Sequence, residues 1–196
     1  MTSHFFAFFS KLRWISRWSL KRNSVPENVM EHTASVAAIA HMLAVIRVQR
    51  FGGTINPDRV ATVALFHDLN EVVTGDMPSP VKYHSPGITR AYKEIEALAQ
   101  REIHGLLPDD IQPHYRPLLI DEHVDPEVHE LVKAADIIDA YFKCKVEIAA
   151  GNPEFALAAR DLEQRVTGLK APEAAVFLEI FGGSLGLTLD ELMLKK

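Results

Sequence analysis

The sequence predicts an all-α fold, a single-domain helical bundle, on three grounds. Apolar residues recur three and four positions apart in almost every periodic stretch, the spacing of one helix face. No stretch shows convincing strand alternation. Residues that start and stop helices fall where the periodicity begins and ends. No repeat, low-complexity tract or linker interrupts residues 1–196, so one domain is expected, long enough to bury a core unaided.

The first helix is expected from Ser3 to Ile15, followed by a polar, basic loop, SRWSLKRNSVPEN. Trp14 lies at helical spacing from the phenylalanines and is expected in the core, whereas Trp18 falls in the loop. The Phe-rich stretch (Phe5, Phe6, Phe8, Phe9) is expected to pack mainly on its own domain. The second helix has two candidate starts, Ser24 with Glu27 or Asn28 with Glu31, each resembling a capping box. Val36, Ile39, Leu43 and Ile46 share a face in it, with His32 one turn earlier, and Phe51-Gly52-Gly53 ends it.

Asn56-Pro57 is a cap followed by proline at the first helical position. The third helix then carries Val60, Val63, Ala64, His67 and Glu71 on one face up to Gly75, with Asp68 about 100° round the axis from His67. DMPSPVKYHSPG, with its three prolines, reads as a fixed irregular loop. Further helices are expected over Ile88–Leu106, Pro108–Leu119, Glu127–Ala150, Glu154–Leu169 and Pro172–Phe181, with Thr188 and Glu191 capping a last turn.

Charge and composition narrow the function. A net charge of -5 argues against a broad nucleic-acid surface, while Lys11, Arg13, Arg17, Lys21 and Arg22 leave room for a local anion site. The lone Cys144 excludes an internal disulfide framework and a Cys-based zinc site. The apolar stretch near the start has no preceding basic region and no small-residue cleavage site, and no uninterrupted apolar stretch approaches the ~20 residues of a bilayer span. A cytoplasmic enzyme or binding protein is therefore expected.

His67-Asp68 is the feature that proposes chemistry. With His32 and Asp136 it forms a candidate two-His, two-Asp socket for one divalent metal, leaving positions for water and substrate. Asp136 sits in the apolar run VKAADIIDAYF, where an unpaired carboxylate is costly and a cation would relieve it. Asp139 is a competing acid in the same helix. His123 beside Glu122 could suggest a second metal, but further histidine clusters are absent; His4, His41, His84, His104, His114 and His129 read as surface or packing residues.

Glu31-His32, then His67, Asp68 and Glu71, then a distant Asp136 in KAAD resemble the HD-domain metal-dependent phosphohydrolases. SHFFAFFSKLRWISRW, ENVMEH, HDLNEVVTGDMPSPVKY and KAADIIDAYFKC extend the resemblance to the bacterial 5'-deoxynucleotidase subgroup over nearly the whole chain. It implies phosphate removal from deoxyribonucleoside 5'-monophosphates, a homodimer, and one divalent transition metal, commonly cobalt, manganese or copper. Carried over residue by residue, the metal ligands are His32, His67, Asp68 and Asp136. Substrate contacts fall on Arg17, Trp18, Asp76, Met77, Pro78 and Ser79, with His32 and Asp68 also reaching substrate. The acid that handles water falls on Glu71.

These residue types suit the chemistry. A phosphate monoester is dianionic, and its hydrolysis spreads charge over the equatorial oxygens. Arg17 offers a planar fork for those oxygens, and Glu71 could position or deprotonate water. Asp76 could accept from that water or protonate the leaving 5'-oxygen; which acid does which stays open. Trp18 with Val29, Thr74 or Met77 could discriminate deoxyribose. A phosphodiesterase, a triphosphate hydrolase and a catalytically silent nucleotide-binding regulator are the competing readings. The presence of both Glu71 and Asp76 disfavours the last.

Overall fold

A computed structural model describes residues 2–194. Eleven α-helices and four short 3-10 turns follow one another, with no β-strand among the described residues. The helices are α1 (Phe5–Phe9), α2 (Val29–Phe51), α3 (Pro57–Ala64), α4 (Glu71–Thr74), α5 (Ser79–Lys82), α6 (Pro86–His104), α7 (Gln112–Leu119), α8 (Pro126–Ala149), α9 (Ala156–Thr167), α10 (Pro172–Phe181) and α11 (Leu189–Leu194).

Local signals set most boundaries. Of the two candidate starts of α2, Asn28 is the one used: its side chain accepts the Glu31 N–H while Glu31 accepts the Asn28 N–H. Gly52 closes α2 at φ 70°, a left-handed position that favours glycine. Asn56 caps α3, with Pro57 behind it. Asp125 accepts the N–H groups of Glu127 and Val128 to start α8, and Thr188 with Glu191 caps α11.

α2 is central, packed by α3, α8 and α10, with α9 covering α8. Val36, Ala40, Leu43 and Ala44 of α2 are fully buried, and complete burial of a Val or Leu contributes ~1.5–3 kcal/mol each. At 23 residues, α2 is long and apolar enough to cross a bilayer by length and composition, although Glu31, His32, Arg47 and Arg50 interrupt its apolar run. Its apolar residues instead serve a helix flanked by neighbours, and Arg47 pairs with the buried Glu173 of α10.

Three local expectations are corrected. The first helix divides: α1 is followed by a 3-10 turn, Ser10–Trp14, with the Ser10 hydroxyl donating to Ala7 O. At about 120° per residue, Trp14 lies well round the axis from buried Leu12. It is consequently 68% exposed, with Lys11 Nζ 4.1 Å from its ring, rather than in the core. Trp18 is the tryptophan that turns inward, onto Phe155 at a ring separation of 5.3 Å. The proline-rich loop also contains a helical turn, α5.

The loop between the first turns and α2 is anchored by a buried polar clamp. Glu147 accepts from the Ser24 and Val25 N–H groups (2.9 and 3.0 Å), Lys143 Nζ (2.6 Å) and Asn152 Nδ2 (2.8 Å). Lys143 also donates to Val25 O, and Asn152 to Arg22 O. Burial opposes the charge on Glu147, but these bonds outweigh it and draw its pKa down to about 2. A depressed pKa contributes stability that is complete above the ordinary carboxylate range and is lost as pH falls toward that value. Glu147→Ala strands Lys143, and breaking such a buried pair should cost about 3–5 kcal/mol. An unchanged urea midpoint would contradict that role.

Candidate active site

α3 stops at Ala64, so His67 and Glu71 do not ride one continuous helix as the spacing suggested. Residues 65–70 pass through tight turns in which Phe66, His67 and Leu69 N–H groups each donate three residues back. The Ala64 carbonyl also accepts from His67 Nδ1 at 2.7 Å. This turned segment joins α3 to α4, with Asp68 projecting between the histidines and Glu71 opening α4.

The four candidate ligands converge from α2, the turned segment and α8. Ligand atoms of His32, His67 and Asp68 lie within 4.8 Å of one another. Asp68 Oδ2 is 3.1 Å from His67 Nε2 and 3.5 Å from His32 Nε2, and Asp136 Oδ1 is 3.3 Å from His32 Nε2.

The proton positions give a test of whether a metal fits. His67 Nδ1 faces a carbonyl and must donate; His32 Nδ1 lies 2.6 Å from Asp139 Oδ2, where an ionised carboxylate can only accept. In neutral histidines both Nε2 atoms then present lone pairs toward carboxylate oxygens, and both are buried without a hydrogen-bond partner. Only protons or a cation can hold such a group of acceptors together. Without a metal, burial opposes protonation, but the facing carboxylates of Asp136, Asp139 and Asp68 hold the His32 pKa well above its usual value. Burial likewise opposes charge on His67, and Asp68 raises its pKa nonetheless. The donor set fits one divalent metal.

Arg17 and Glu71 flank this centre. Arg17 Nε donates to Glu27 Oε1 at 2.7 Å, and Nη1 lies 3.8 Å from Asp68 Oδ2. Burial works against its charge, yet Asp68, Asp136, Glu27 and Asp76 together keep the guanidinium protonated. Glu71 Oε2 is buried with no partner. Burial, with Asp68 and Asp76 nearby, pushes its carboxyl up to about 9.

Trp18 has φ 58°, a left-handed backbone in a bulky residue, which costs about 1–3 kcal/mol. Its N–H donates to Asp76 Oδ2 (3.2 Å), and its carbonyl accepts from Lys21 N and Asn23 Nδ2. Gly75, at φ 70° and ψ 166°, makes the turn that delivers Asp76 to this contact, a backbone region open essentially to glycine. Burial raises the Asp76 pKa, with Arg17 and the Trp18 N–H opposing.

Arg17, Trp18, Asp76, Met77, Pro78 and Ser79 thus line one cavity of about 150 Å³. An adjoining cavity of about 200 Å³ has Arg17, Asp68, Glu71, Asp76 and Asp136 on its walls. Val29, suggested for sugar discrimination, is fully buried and presents no surface. Asp139, the other acid of that helix, meets the opposite edge of His32, at Nδ1. Glu27, read only as a capping candidate, holds Arg17. The signal for Asp139 was its place three residues beyond Asp136, on the same face.

The helical bundle that carries this His-Asp centre has the fold of the HD-domain phosphohydrolases. The chain belongs to the family described as 5'-deoxynucleotidase YfbR-like, whose model matches residues 4–185. A 5'-deoxynucleotidase of Vibrio cholerae is 46% identical over 190 residues, 97% of this chain and 98% of that one. One of Photorhabdus laumondii is 45% identical over 192 residues, 98% of each.

Two solved structures bear on the fold. An HD-domain phosphohydrolase of Listeria innocua superposes with a TM-score of 0.80 at 24% identity, over 93% of this chain and 88% of that one. A cyanophage S-2L HD phosphohydrolase, bound to dA and one catalytic Zn²⁺, superposes with a TM-score of 0.62 at 22% identity, over 88% and 93%.

Proposed function

We infer that the chain is a 5'-deoxynucleotidase, a metal-dependent phosphomonoesterase that converts deoxyribonucleoside 5'-monophosphates to deoxyribonucleosides and phosphate. One observation carries this reading beyond family membership. Four facing ligand residues stand beside a half-buried arginine and a carboxylate whose Oε2 is buried without a partner, a combination that binding alone does not require.

His32, His67, Asp68 and Asp136 are proposed to hold the metal. When bound, a divalent metal supplies Lewis-acid stabilisation of the phosphoryl oxygens, activation of water, and positive charge that favours ionisation of Glu71. Arg17, with Nε committed to Glu27, is left with its terminal nitrogens to take phosphate oxygens. Glu71, whose Oε2 has no other partner, takes a proton from the attacking water. Asp76, fixed on the Trp18 N–H and kept protonated to a higher pH than an ordinary carboxyl, gives a proton to the leaving 5'-oxygen. Trp18, Met77, Pro78 and Ser79 seat the nucleoside, while Trp18 with Thr74 or Met77 disfavours a 2'-hydroxyl.

The metal is proposed to be cobalt, manganese or copper, as the sequence resemblance implies; zinc in the cyanophage protein makes it a further metal to assay. A cytoplasmic homodimer of single-domain chains completes the reading. The exposed apolar side chains Ile88, Ile95 and Leu98 along α6 support self-association.

The test is phosphate release from ribo and deoxy 5'- and 3'-mononucleotides by chelated and metal-restored protein. Turnover should be confined to deoxyribonucleoside 5'-monophosphates and return only with metal. Equal rates on ribose substrates would overturn the sugar preference, and turnover without metal would overturn the proposed chemistry.

A further inference from the structure

Two carboxylates behind the site, Asp139 buried and Glu27 half-buried, touch the side chains proposed to act in it without themselves lining the substrate cavities. Asp139, 8% exposed, accepts from His32 Nδ1 at 2.6 Å, on the ring edge opposite Nε2. Glu27 accepts from Arg17 Nε at 2.7 Å and lies 4.0 Å from the same His32 nitrogen. Neither belongs to the cavity walls that carry Glu71, Asp76 and Trp18.

We propose that Asp139 and Glu27 are positioning residues with separate tasks: Asp139 aims His32 at the metal, and Glu27 aims Arg17 at the substrate phosphate. The inference rests on the metal and phosphate roles argued above.

For Asp139 the reason is tautomeric. A carboxylate on Nδ1 fixes the proton there, leaves the Nε2 lone pair for the cation, and raises the basicity of that lone pair. His67 receives the first of these effects from the neutral Ala64 carbonyl, so the two histidines are held by acceptors of different strength. For Glu27 the reason is the shape of guanidinium. Holding Nε fixes the plane of the fork, so the terminal nitrogens need not be ordered when phosphate arrives. The Glu27 carbonyl also accepts the Arg17 N–H at 3.0 Å, fastening that residue at both backbone and side chain.

Asp139→Asn and Glu27→Gln retain size and an acceptor oxygen while removing charge. Metal affinity would be measured by competition with a chromophoric chelator using Mn²⁺ and Co²⁺. Steady-state rates would be measured on deoxyribonucleoside 5'-monophosphates at saturating metal. Asp139→Asn should weaken metal affinity by about 10–100-fold, with KM at saturating metal within twofold of the parent. Glu27→Gln should leave metal affinity within twofold and raise KM by about tenfold, the loss expected from one charge-assisted hydrogen bond.

Parental metal affinity in Asp139→Asn overturns the first assignment, and parental KM in Glu27→Gln overturns the second. Parent protein that binds neither metal fails the underlying function instead, which keeps the two failures apart. If either variant does not fold, histidine ring ¹⁵N shifts in the zinc-loaded parent decide Asp139. Protonated Nδ1 with metal-coordinated Nε2 at His32 supports it, and coordination through Nδ1 overturns it. Arg17 Nε–H exchange decides Glu27: slow exchange in the substrate-free parent supports it, and exchange as fast as that of an exposed arginine overturns it.

Discussion

Asp68→Ala should leave a folded chain that neither retains a divalent metal nor turns over substrate. Asp68 Oδ2 lies within 3.5 Å of both histidine Nε2 atoms, so its removal takes a ligand and the anion that draws the histidines together. Charge stabilisation at a phosphoryl oxygen is worth several kcal/mol, so the rate should fall by roughly 10⁴-fold. Metal content after gel filtration and phosphate release would be read together, with circular dichroism as the control for folding. A variant that keeps one metal at parental affinity would remove Asp68 from the proposed ligand set. The parent should also lose metal affinity as pH falls. His32 and His67 have raised pKa values in the metal-free chain, so protons compete for Nε2 at a higher pH than they would for free imidazole.

The site was legible in sequence to the extent that its signals were local or periodic. Asn28, Asn56, Pro57 and Gly52 each act within a turn of their own position, and the boundaries they suggested for α2 and the start of α3 are those observed. His32 could be placed on the inner face of α2 by its spacing from Val36. The relation of His67 to Glu71 could not, because the four-residue rule assumes a regular helix and this segment turns more tightly. Trp18 lies in the loop that its polar neighbours indicate, but its left-handed backbone carries no periodic signature, so its inward turn onto Phe155 has no local sign. Asp139 and Glu147 meet partners 107 and about 122 residues away along the chain, so local spacing marks the helix face of Asp139 but names neither partner. What a sequence shows least is which of two neighbouring acids, Asp136 or Asp139, faces the centre.

Glu71→Gln should keep the metal and lose 10²–10⁴-fold in kcat, about the contribution of a positioned general base, with little change in KM. Glutamine preserves the shape but cannot take a proton from water, whereas the contacts proposed to bind phosphate and nucleoside involve Arg17 and the 76–79 loop. Asp76 separates differently, because its carboxylate has a second task. In Asp76→Asn the amide oxygen can still accept the Trp18 N–H, so the loop should stay in place while proton donation is lost, lowering kcat at near-parental KM. Asp76→Ala removes the acceptor as well and frees the strained Trp18 backbone, so KM should rise in addition. The pH profiles distinguish the two acids. The base must be ionised and the acid protonated, so Asp76→Asn should remove the alkaline decline in kcat and leave the acidic limb that belongs to Glu71. An Asp76→Asn variant with full turnover would restrict Asp76 to holding Trp18. A fully active Glu71→Gln variant would transfer the base role to another group, since Asp76 would then be the only other carboxylate on the walls of that cavity besides Asp68 and Asp136, both assigned to the metal.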